Sequence, residues 1–236
     1  MDDTKLYHVV SDLFVSPKNG YIPGIAYELF LPKKLDWKKE KLPLIVFLHG
    51  AGERGGMKDL TTVHCIGLSS IVACDAKDIP AIILCPRCPE DMVWNNIIFT
   101  LKELIDKVAA EYNVDMHRIT ATGLSMGGFG TWELGITYPE FFAGLAPICG
   151  GGFPWRAGNL AKTPVWAFHG DKDDTVPVEM SYQMVNSARN FGGNVRFTIF
   201  NNVGHCSWDD AYWYTTVIDW LLEQKRDDLS FPRPIA

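Results

Sequence analysis

The sequence lacks the features of several large protein classes. No stretch of 18 residues is apolar and free of charge, so a transmembrane helix is not expected. Basic residues are in deficit, with 22 Lys and Arg against 28 Asp and Glu, and the net charge of −6 argues against a surface that binds nucleic acid. Internal repeats and low-complexity segments are absent as well, which excludes a repeat protein and a disordered linker.

Signals for secretion, metal binding and nucleotide binding are also missing. The opening segment 1–5 lacks the charged-then-apolar pattern of a secretion signal, so we expect a cytoplasmic protein whose six cysteines are free thiols. Cys85 and Cys88 have the spacing of a zinc knuckle, but no second pair follows them. The glycine-rich segment 50–56 neither ends in Gly-Lys-Ser/Thr nor has the spacing of a dinucleotide fingerprint. We therefore expect neither a metal nor an organic cofactor.

Apolar residues, by contrast, are abundant: 47% of the 236 residues are hydrophobic, and they are spread along the whole chain. This length and composition suit one α/β domain, and we expect residues 1–236 to form it. Short apolar runs bounded by turn residues predict eight strands, at 7–15, 25–31, 44–48, 81–84, 119–122, 144–148, 165–168 and 195–200.

Helical patterns lie between these runs. Residues 97–112 carry apolar side chains at a 3.6-residue spacing, and further helices are predicted after residue 125, at 179–191 and at 212–222. The first two apolar runs flank a turn and predict an antiparallel hairpin. The later runs do not alternate with polar residues, which is typical of a mainly parallel sheet with helices on both faces. In such sheets the chemistry lies at the carboxyl ends of the strands.

A candidate nucleophile follows the strand predicted at 119–122. The sequence Gly123-Leu-Ser125-Met-Gly127 has the Gly-x-Ser-x-Gly pattern of a nucleophile elbow, between a predicted strand and a predicted helix. A turn this sharp strains the serine backbone and leaves no room for side chains two residues before and after it. The hydroxyl of Ser125 is then held at a helix N-terminus, whose partial positive charge favours a developing oxyanion.

A serine hydroxyl is a weak nucleophile unless a base takes its proton, and His205 is the best placed of the six histidines. It follows the last predicted strand and precedes the final predicted helix, so it lies at the carboxyl edge of the sheet. We expect His8, His64 and His117 to be surface or packing residues.

The acid that orients His205 is expected in the loop after the strand at 165–168, because the loop after the preceding strand has no carboxylate. This loop contains Asp171, Asp173 and Asp174. We choose Asp173, four residues before Pro177, and expect Asp171 to brace the turn and Asp174 to face solvent.

The glycine-rich segment after the strand at 44–48 can turn backbone N–H groups toward the nucleophile. We expect the amides of Ala51 and Met126 to donate to the oxyanion, and Met126 directly follows the nucleophile. Glu53 and Arg54 form either an ion pair that fixes this loop or a polar end of the substrate site.

Four large aromatic residues fall on predicted loops at the same edge: Trp94, Phe153, Trp155 and Trp208. They form either an aromatic substrate pocket or packing beneath the loops. Our candidate substrate-binding residues are Trp94, Trp155 and Trp208.

Taken together, these motifs resemble the α/β-hydrolase superfamily and, within it, the phospholipase/carboxylesterase group of serine esterases, which also carries the label "predicted peptidase". The chain order Ser, Asp, His is that of this superfamily. Members often carry Gln where Arg87 stands. The resemblance covers roughly residues 6 to 224 and is carried by LHGAGERG, CPRCPEDMVW, GLSMGGFGTW, PICGGG, HGDKDDTVP and VGHCSW.

The resemblance implies an α/β-hydrolase fold and a serine esterase with Ser125 as nucleophile, Asp173 as acid, His205 as base, and oxyanion donors at Ala51 and Met126. The connection from Cys149 to 164 is too short for a large lid. We expect hydrolysis of small-molecule carboxylic esters through an acyl-enzyme, with short acyl groups and, among the candidates, acetyl or feruloyl esters of plant polysaccharide fragments. The alternatives are a small-substrate peptidase or amidase, and a catalytically inactive binding protein of the same fold.

Overall fold

The computed structural model of the chain describes residues 5–58 and 64–227. Its centre is one eight-stranded sheet with the order β1-β2-β4-β3-β5-β6-β7-β8. The strands are β1 Tyr7–Phe14, β2 Ile25–Pro32, β3 Leu42–Leu48, β4 Ile82–Arg87, β5 Val114–Leu124, β6 Gly144–Ile148, β7 Val165–Gly170 and β8 Val195–Phe200.

All eight predicted strands are confirmed, and so is the opening hairpin. β1 pairs antiparallel with β2, and β2 pairs antiparallel with β4. From β4 to β8 every neighbouring pair is parallel. The sheet is therefore mostly parallel, and the carboxyl ends of β3 to β8 meet along one edge.

Helices cover both faces of the sheet, as expected. One hydrophobic core lies under α2 (Ile98–Glu111), α3 (Met126–Thr137) and α4 (Glu179–Asn190). The other lies under α1 (Gly67–Ala73), α5 (Ser207–Tyr214) and α6 (Val217–Glu223). Every residue of β3, β6 and β7 is buried, because side chains on both faces of these central strands pack against helices. Among the described residues, no helix has both the length and the apolar character needed to cross a bilayer.

The prediction of a single helix at 212–222 is wrong. The structure has two helices in this region, α5 and α6, with a break between them. Thr215, between them, has extended backbone (φ −116°, ψ 173°). Its hydroxyl donates to the Ala211 carbonyl at 2.6 Å and accepts the Val217 N–H at 3.1 Å. One side chain thus bonds the last turn of the first helix and the first residue of the second, an effect of Thr that a hydrophobic repeat does not show.

Candidate active site

Ser125 occupies a strained turn between β5 and α3. Its backbone has φ +54° and ψ −118°, a conformation that side chains rarely adopt. A Cβ atom added at Gly123 would lie 2.5 Å from the Gly127 carbonyl oxygen, and one at Gly127 would lie 1.9 Å from the Leu48 carbonyl oxygen. Only glycine fits at both positions, so the local sequence permits the sharp turn that raises the serine above the sheet edge.

The structure brings Ser125, His205 and Asp173 together in one row. Nε2 of His205 lies 2.9 Å from Oγ of Ser125, and Nδ1 lies 2.8 Å from Oδ2 of Asp173. The carboxylate is an acceptor, so Nδ1 carries the proton and Nε2 is free to accept one from the serine. The three residues lie in the loops or turns after β5, β7 and β8, which meet at the carboxyl edge of the sheet.

The carboxylate of Asp173 is held by several donors. Burial by itself raises the pKa of Asp173, but hydrogen bonds from His205 and from the amides of Val176 and Thr175 more than offset it, and the net pKa is lowered. Oδ1 accepts the Val176 amide at 2.8 Å and the Thr175 amide at 3.0 Å. Asp173 is therefore an anion at neutral pH, as a residue that stabilises an imidazolium must be.

The two alternative aspartates point elsewhere. Asp171 accepts the Asn202 N–H at 2.6 Å, a bond that braces the turn, and the side chain of Asp174 faces solvent beside Thr175. Of the three carboxylates, the one that contacts His205 is that of Asp173.

His169, which the sequence motifs do not single out, is a second imidazole on the same carboxylate. Its Nε2 lies 3.1 Å from Oδ2 of Asp173 and 2.8 Å from the Val176 carbonyl oxygen. Both neighbours are acceptors, so Nε2 carries a proton, while Nδ1 meets the Ser181 hydroxyl at 2.7 Å. Burial lowers the pKa of His169, which keeps the ring neutral. The signal available in the sequence is its spacing, four residues before Asp173.

The two expected oxyanion donors each open a helical segment. Met126 is the first residue of α3, and Ala51 is the first residue of a 3₁₀ turn, Ala51–Glu53. An N–H at the start of a helix has no acceptor carbonyl within that helix, so it is free to donate to a ligand. A Cβ added at Gly50 would lie 3.7 Å from Cβ of Ser125, so the loop passes beside this serine.

Trp94 does not lie where we expected it, and its assignment to the substrate site is wrong. The side chain is fully buried, and its Nε1 donates to the His49 carbonyl oxygen at 3.0 Å. A Cβ added at Gly130 would lie 2.7 Å from Cβ of Trp94, so the ring packs directly on α3. The 3₁₀ turn Trp94–Ile97 rotates the ring inward, and the side chains on either side of it face outward.

The other two candidate tryptophans, Trp208 and Trp155, differ in their exposure to solvent. Trp208 is 9% exposed, and its ring lies edge-to-face on His205 with centroids 5.4 Å apart. It therefore packs against the imidazole, and the prediction that Trp208 binds substrate stays a prediction. Trp155 is 76% exposed beside Phe153, on a 3₁₀ segment that a bond of 2.7 Å between Arg156 and Glu133 ties to α3.

A cleft of about 360 Å³ opens beside Ser125. It is lined by Val93, Asn95, Ser125, Met126 and Phe129. Val93 and Asn95 flank the buried Trp94 in the sequence. Their side chains reach the cleft because the 3₁₀ turn that begins at Trp94 directs them to the other side of the backbone. Phe129 lies one helical turn after Ser125, a spacing of four residues that already predicts a shared face.

One group of potential metal ligands exists among the described residues. Ligand atoms of Cys149, Asp173 and His205 lie within 4.8 Å of one another. Burial raises the pKa of the Cys149 thiol, which therefore stays protonated, and its sulfur accepts the Ser125 N–H at 3.2 Å. A metal needs the thiolate and a free imidazole nitrogen, whereas both nitrogens of His205 already have partners. Cys149, Asp173 and His205 therefore do not offer the set of free ligand atoms that a metal ion needs.

Comparisons with known proteins identify the family of the chain. A family model described as Phospholipase/Carboxylesterase matches residues 90–212. The crystal structure of a thermostable esterase superposes on 92% of the chain with a TM-score of 0.80 and 34% sequence identity, and the match covers 63% of that protein.

Two curated relatives match over shorter segments. Poly(3-hydroxyalkanoate) depolymerase C of Paucimonas lemoignei is 44% identical over 52 residues, which is 22% of this chain and 13% of the depolymerase. The bifunctional acetylxylan esterase/xylanase XynS20E of Neocallimastix patriciarum is 31% identical over 85 residues, which is 36% of this chain and 12% of that protein. The match thus spans only about an eighth of the length of either relative.

Proposed function

The chain belongs to the phospholipase/carboxylesterase family of α/β-hydrolases, and on that premise we propose that it is a serine carboxylesterase acting through Ser125, His205 and Asp173. The observation that carries this proposal is the unbroken row of hydrogen bonds from the carboxylate through the imidazole to the serine hydroxyl. This row lies at the carboxyl edge of the sheet, where proteins of this fold carry out their chemistry.

The proposed reaction has two acyl-transfer steps. Oγ of Ser125 attacks the ester carbonyl carbon while Nε2 of His205 takes the hydroxyl proton. Asp173 stabilises the imidazolium that forms, and the amides of Ala51 and Met126 donate to the oxyanion. His205 then gives its proton to the leaving alcohol, which leaves an acyl-enzyme. A water molecule, deprotonated by the same imidazole, hydrolyses the acyl-enzyme and restores the serine.

The strand order supports an assignment of the two substrate halves. His205 and Asp173 follow β8 and β7, on one side of the nucleophile strand β5, whereas Val93 and Asn95 follow β4, on the other side. The leaving alcohol must lie beside His205, because this residue protonates it. The acyl group therefore points away from His205, into the cleft of about 360 Å³.

The alcohol half is proposed to be a sugar. Phe153 and Trp155 follow β6, on the His205 side, with ring centroids 6.3 Å apart and both rings exposed. Exposed aromatic rings on a fixed segment offer a flat apolar face to a pyranose ring. The similarity to an acetylxylan esterase supports this class of substrate.

All eight strands lie in one sheet, which supports the proposal that the chain forms a single hydrolase domain.

The test is Ser125→Ala, with Ser70→Ala as the matched control. Ser70 lies in α1, where its hydroxyl bonds a carbonyl within the helix. We expect Ser125→Ala to lower kcat on p-nitrophenyl acetate by about 10³-fold or more and to abolish labelling by a fluorophosphonate, with folding unchanged. Activity close to that of the parent would refute the proposal.

A panel of esters and amides measured on the parent then defines the substrate. Acetylated and feruloylated sugars, simple alkyl esters and aminoacyl amides are compared by kcat/KM. We expect acetyl-sugar esters to be the best substrates. If the aminoacyl amides were hydrolysed faster, the peptidase alternative would replace the esterase.

A further inference from the structure

The segment 51–56 carries the proposed oxyanion donor Ala51, yet much of it lies at the surface. Ala51, Gly52 and Gly56 are exposed, and three of its six residues are glycines, which lose more backbone entropy on ordering than other residues. A donor contributes to catalysis only if it points at the oxyanion before the reaction begins. Another part of the protein must therefore hold this segment.

Arg87, the last residue of β4, holds it from beneath. The side chain is buried, and its guanidinium group donates to three backbone carbonyl oxygens of the segment. Nε lies 2.8 Å from the Glu53 oxygen, Nη2 2.8 Å from that of Arg54, and Nη1 3.1 Å from that of Gly56. Gly55 has φ +144°, and a Cβ added there would lie 2.5 Å from Nη2, so the backbone passes directly over the guanidinium group.

The neighbour of Arg87 holds the other end of the segment through His49. The Cys88 N–H donates to Nε2 of His49 at 3.0 Å, so the ring proton is on Nδ1, which donates to the Gly50 carbonyl oxygen at 2.6 Å. Burial lowers the pKa of His49 to about 4, so the ring is neutral. A carbonyl and the next N–H point in opposite directions across one peptide, so fixing the Gly50 oxygen directs the Ala51 N–H away from His49.

We propose that Arg87 is a positioning residue for ester hydrolysis, which fixes segment 51–56 so that the Ala51 N–H is aimed at the oxyanion before substrate binds. This inference rests on the proposed function. Arginine suits the task because its planar group offers five donors in a fixed fork, whereas lysine is a point charge and glutamine has only one short amide. Neither replacement spans three carbonyls.

The test compares Arg87→Gln and Arg87→Lys with Arg189→Gln. Arg189 is the matched control, because its Nε and Nη2 also donate to a backbone carbonyl, that of Val195, at the opposite edge of the sheet. We expect Arg87→Gln to lower kcat on p-nitrophenyl acetate about 10- to 100-fold with KM changed less than about twofold. Arg87→Lys should be intermediate, and Arg189→Gln should keep kcat within about twofold.

A second readout separates positioning from a purely structural role. A trifluoromethyl ketone adds to the serine and places an oxyanion in the proposed hole, so its inhibition constant should rise in Arg87→Gln by a factor similar to the fall in kcat. A folded Arg87→Gln with kcat within about twofold of the parent, or with only KM raised, overturns the proposal. If this variant does not fold, Arg87→Lys decides by the same criteria, and if neither folds, Arg87 is structural and the proposal is overturned.

Ser125→Ala, measured in parallel, separates a failure of the esterase mechanism from a failure of the role of Arg87. An active Ser125→Ala overturns the esterase mechanism together with the role of Arg87. An inactive Ser125→Ala with an unchanged Arg87→Gln overturns only the role of Arg87.

Discussion

Replacing Asp173 by Asn tests the proposed acid with an almost isosteric change. Oδ1 accepts two backbone amides, and Oδ2 faces Nδ1 of His205 at 2.8 Å and Nε2 of His169 at 3.1 Å. In Asp173→Asn the carbonyl oxygen stays with the amides, because the opposite orientation sets an NH₂ group against two N–H donors. The NH₂ group then faces His205.

Asp173→Asn changes which ring nitrogen of His205 carries the proton. Its Nδ1 must accept from the NH₂ group, so the ring proton moves to Nε2, which can no longer take the proton of Ser125. A wrong tautomer of this kind lowers the kcat of a serine protease about 10⁴-fold, and we expect a loss of about 10³- to 10⁴-fold here. That factor corresponds to about 4 to 5.5 kcal/mol of lost transition-state stabilisation.

The assay is kcat on p-nitrophenyl acetate together with the rate of fluorophosphonate labelling, and Asp171→Asn is the matched control. Asp171 accepts an amide from Asn202, so its replacement should leave kcat within about threefold. If Asp173→Asn kept more than about a tenth of the parent activity, or if Asp171→Asn lost as much, the assignment of the acid would be refuted.

Three further predictions concern packing, specificity and pH. Trp94→Ala should lower the free energy of unfolding by about 3 to 5 kcal/mol in urea titrations, because the ring is fully buried, whereas Trp155→Ala at an exposed site should change it by less than about 0.5 kcal/mol. Equal effects would contradict the burial of Trp94. Phe129→Ala widens the cleft and should move the best p-nitrophenyl ester to a longer acyl chain, which a kcat/KM series measures; an unchanged series would remove Phe129 from the acyl site. The lowered pKa of Asp173 contributes stability above its ordinary value of 3.8 that is lost as pH falls through the lowered pKa. The Tm difference between the parent and Asp173→Asn should therefore stay constant well above pH 3.8 and shrink as pH falls below 3.8, and a difference that stays constant there would contradict this linkage.

The strands and the elbow were predictable because their causes are local. Buried parallel strands read as continuous apolar runs, and each of the eight runs corresponds to a strand. The glycines around Ser125 follow from the space that a sharp turn leaves, so their spacing already implies the strained φ of +54°. The order of the strands then brings the loops that carry Asp173 and His205 to the same edge.

Side-chain direction on the loops was not predictable in the same way. Trp94, Val93 and Asn95 are adjacent in the sequence, but a 3₁₀ turn buries the first and leaves the other two at the cleft. A hydrophobic pattern does not distinguish an aromatic ring that faces a substrate from one that packs on a helix. The break at Thr215 escaped prediction for a related reason, since a single hydroxyl bonds the backbone on both sides of it.

What the sequence lacks and contains determined the class of the protein: a mostly parallel α/β sheet, with a serine at a glycine-bounded turn and a histidine and aspartates in later loops. Those inferences depend on composition, periodicity and steric limits within a few residues. Only the tertiary structure decided which aspartate contacts His205, which aromatic rings face solvent, and that Arg87 lies beneath segment 51–56. The contacts of His205 and Arg87 join residues more than 30 positions apart, and their geometry is set by how the strand ends pack together.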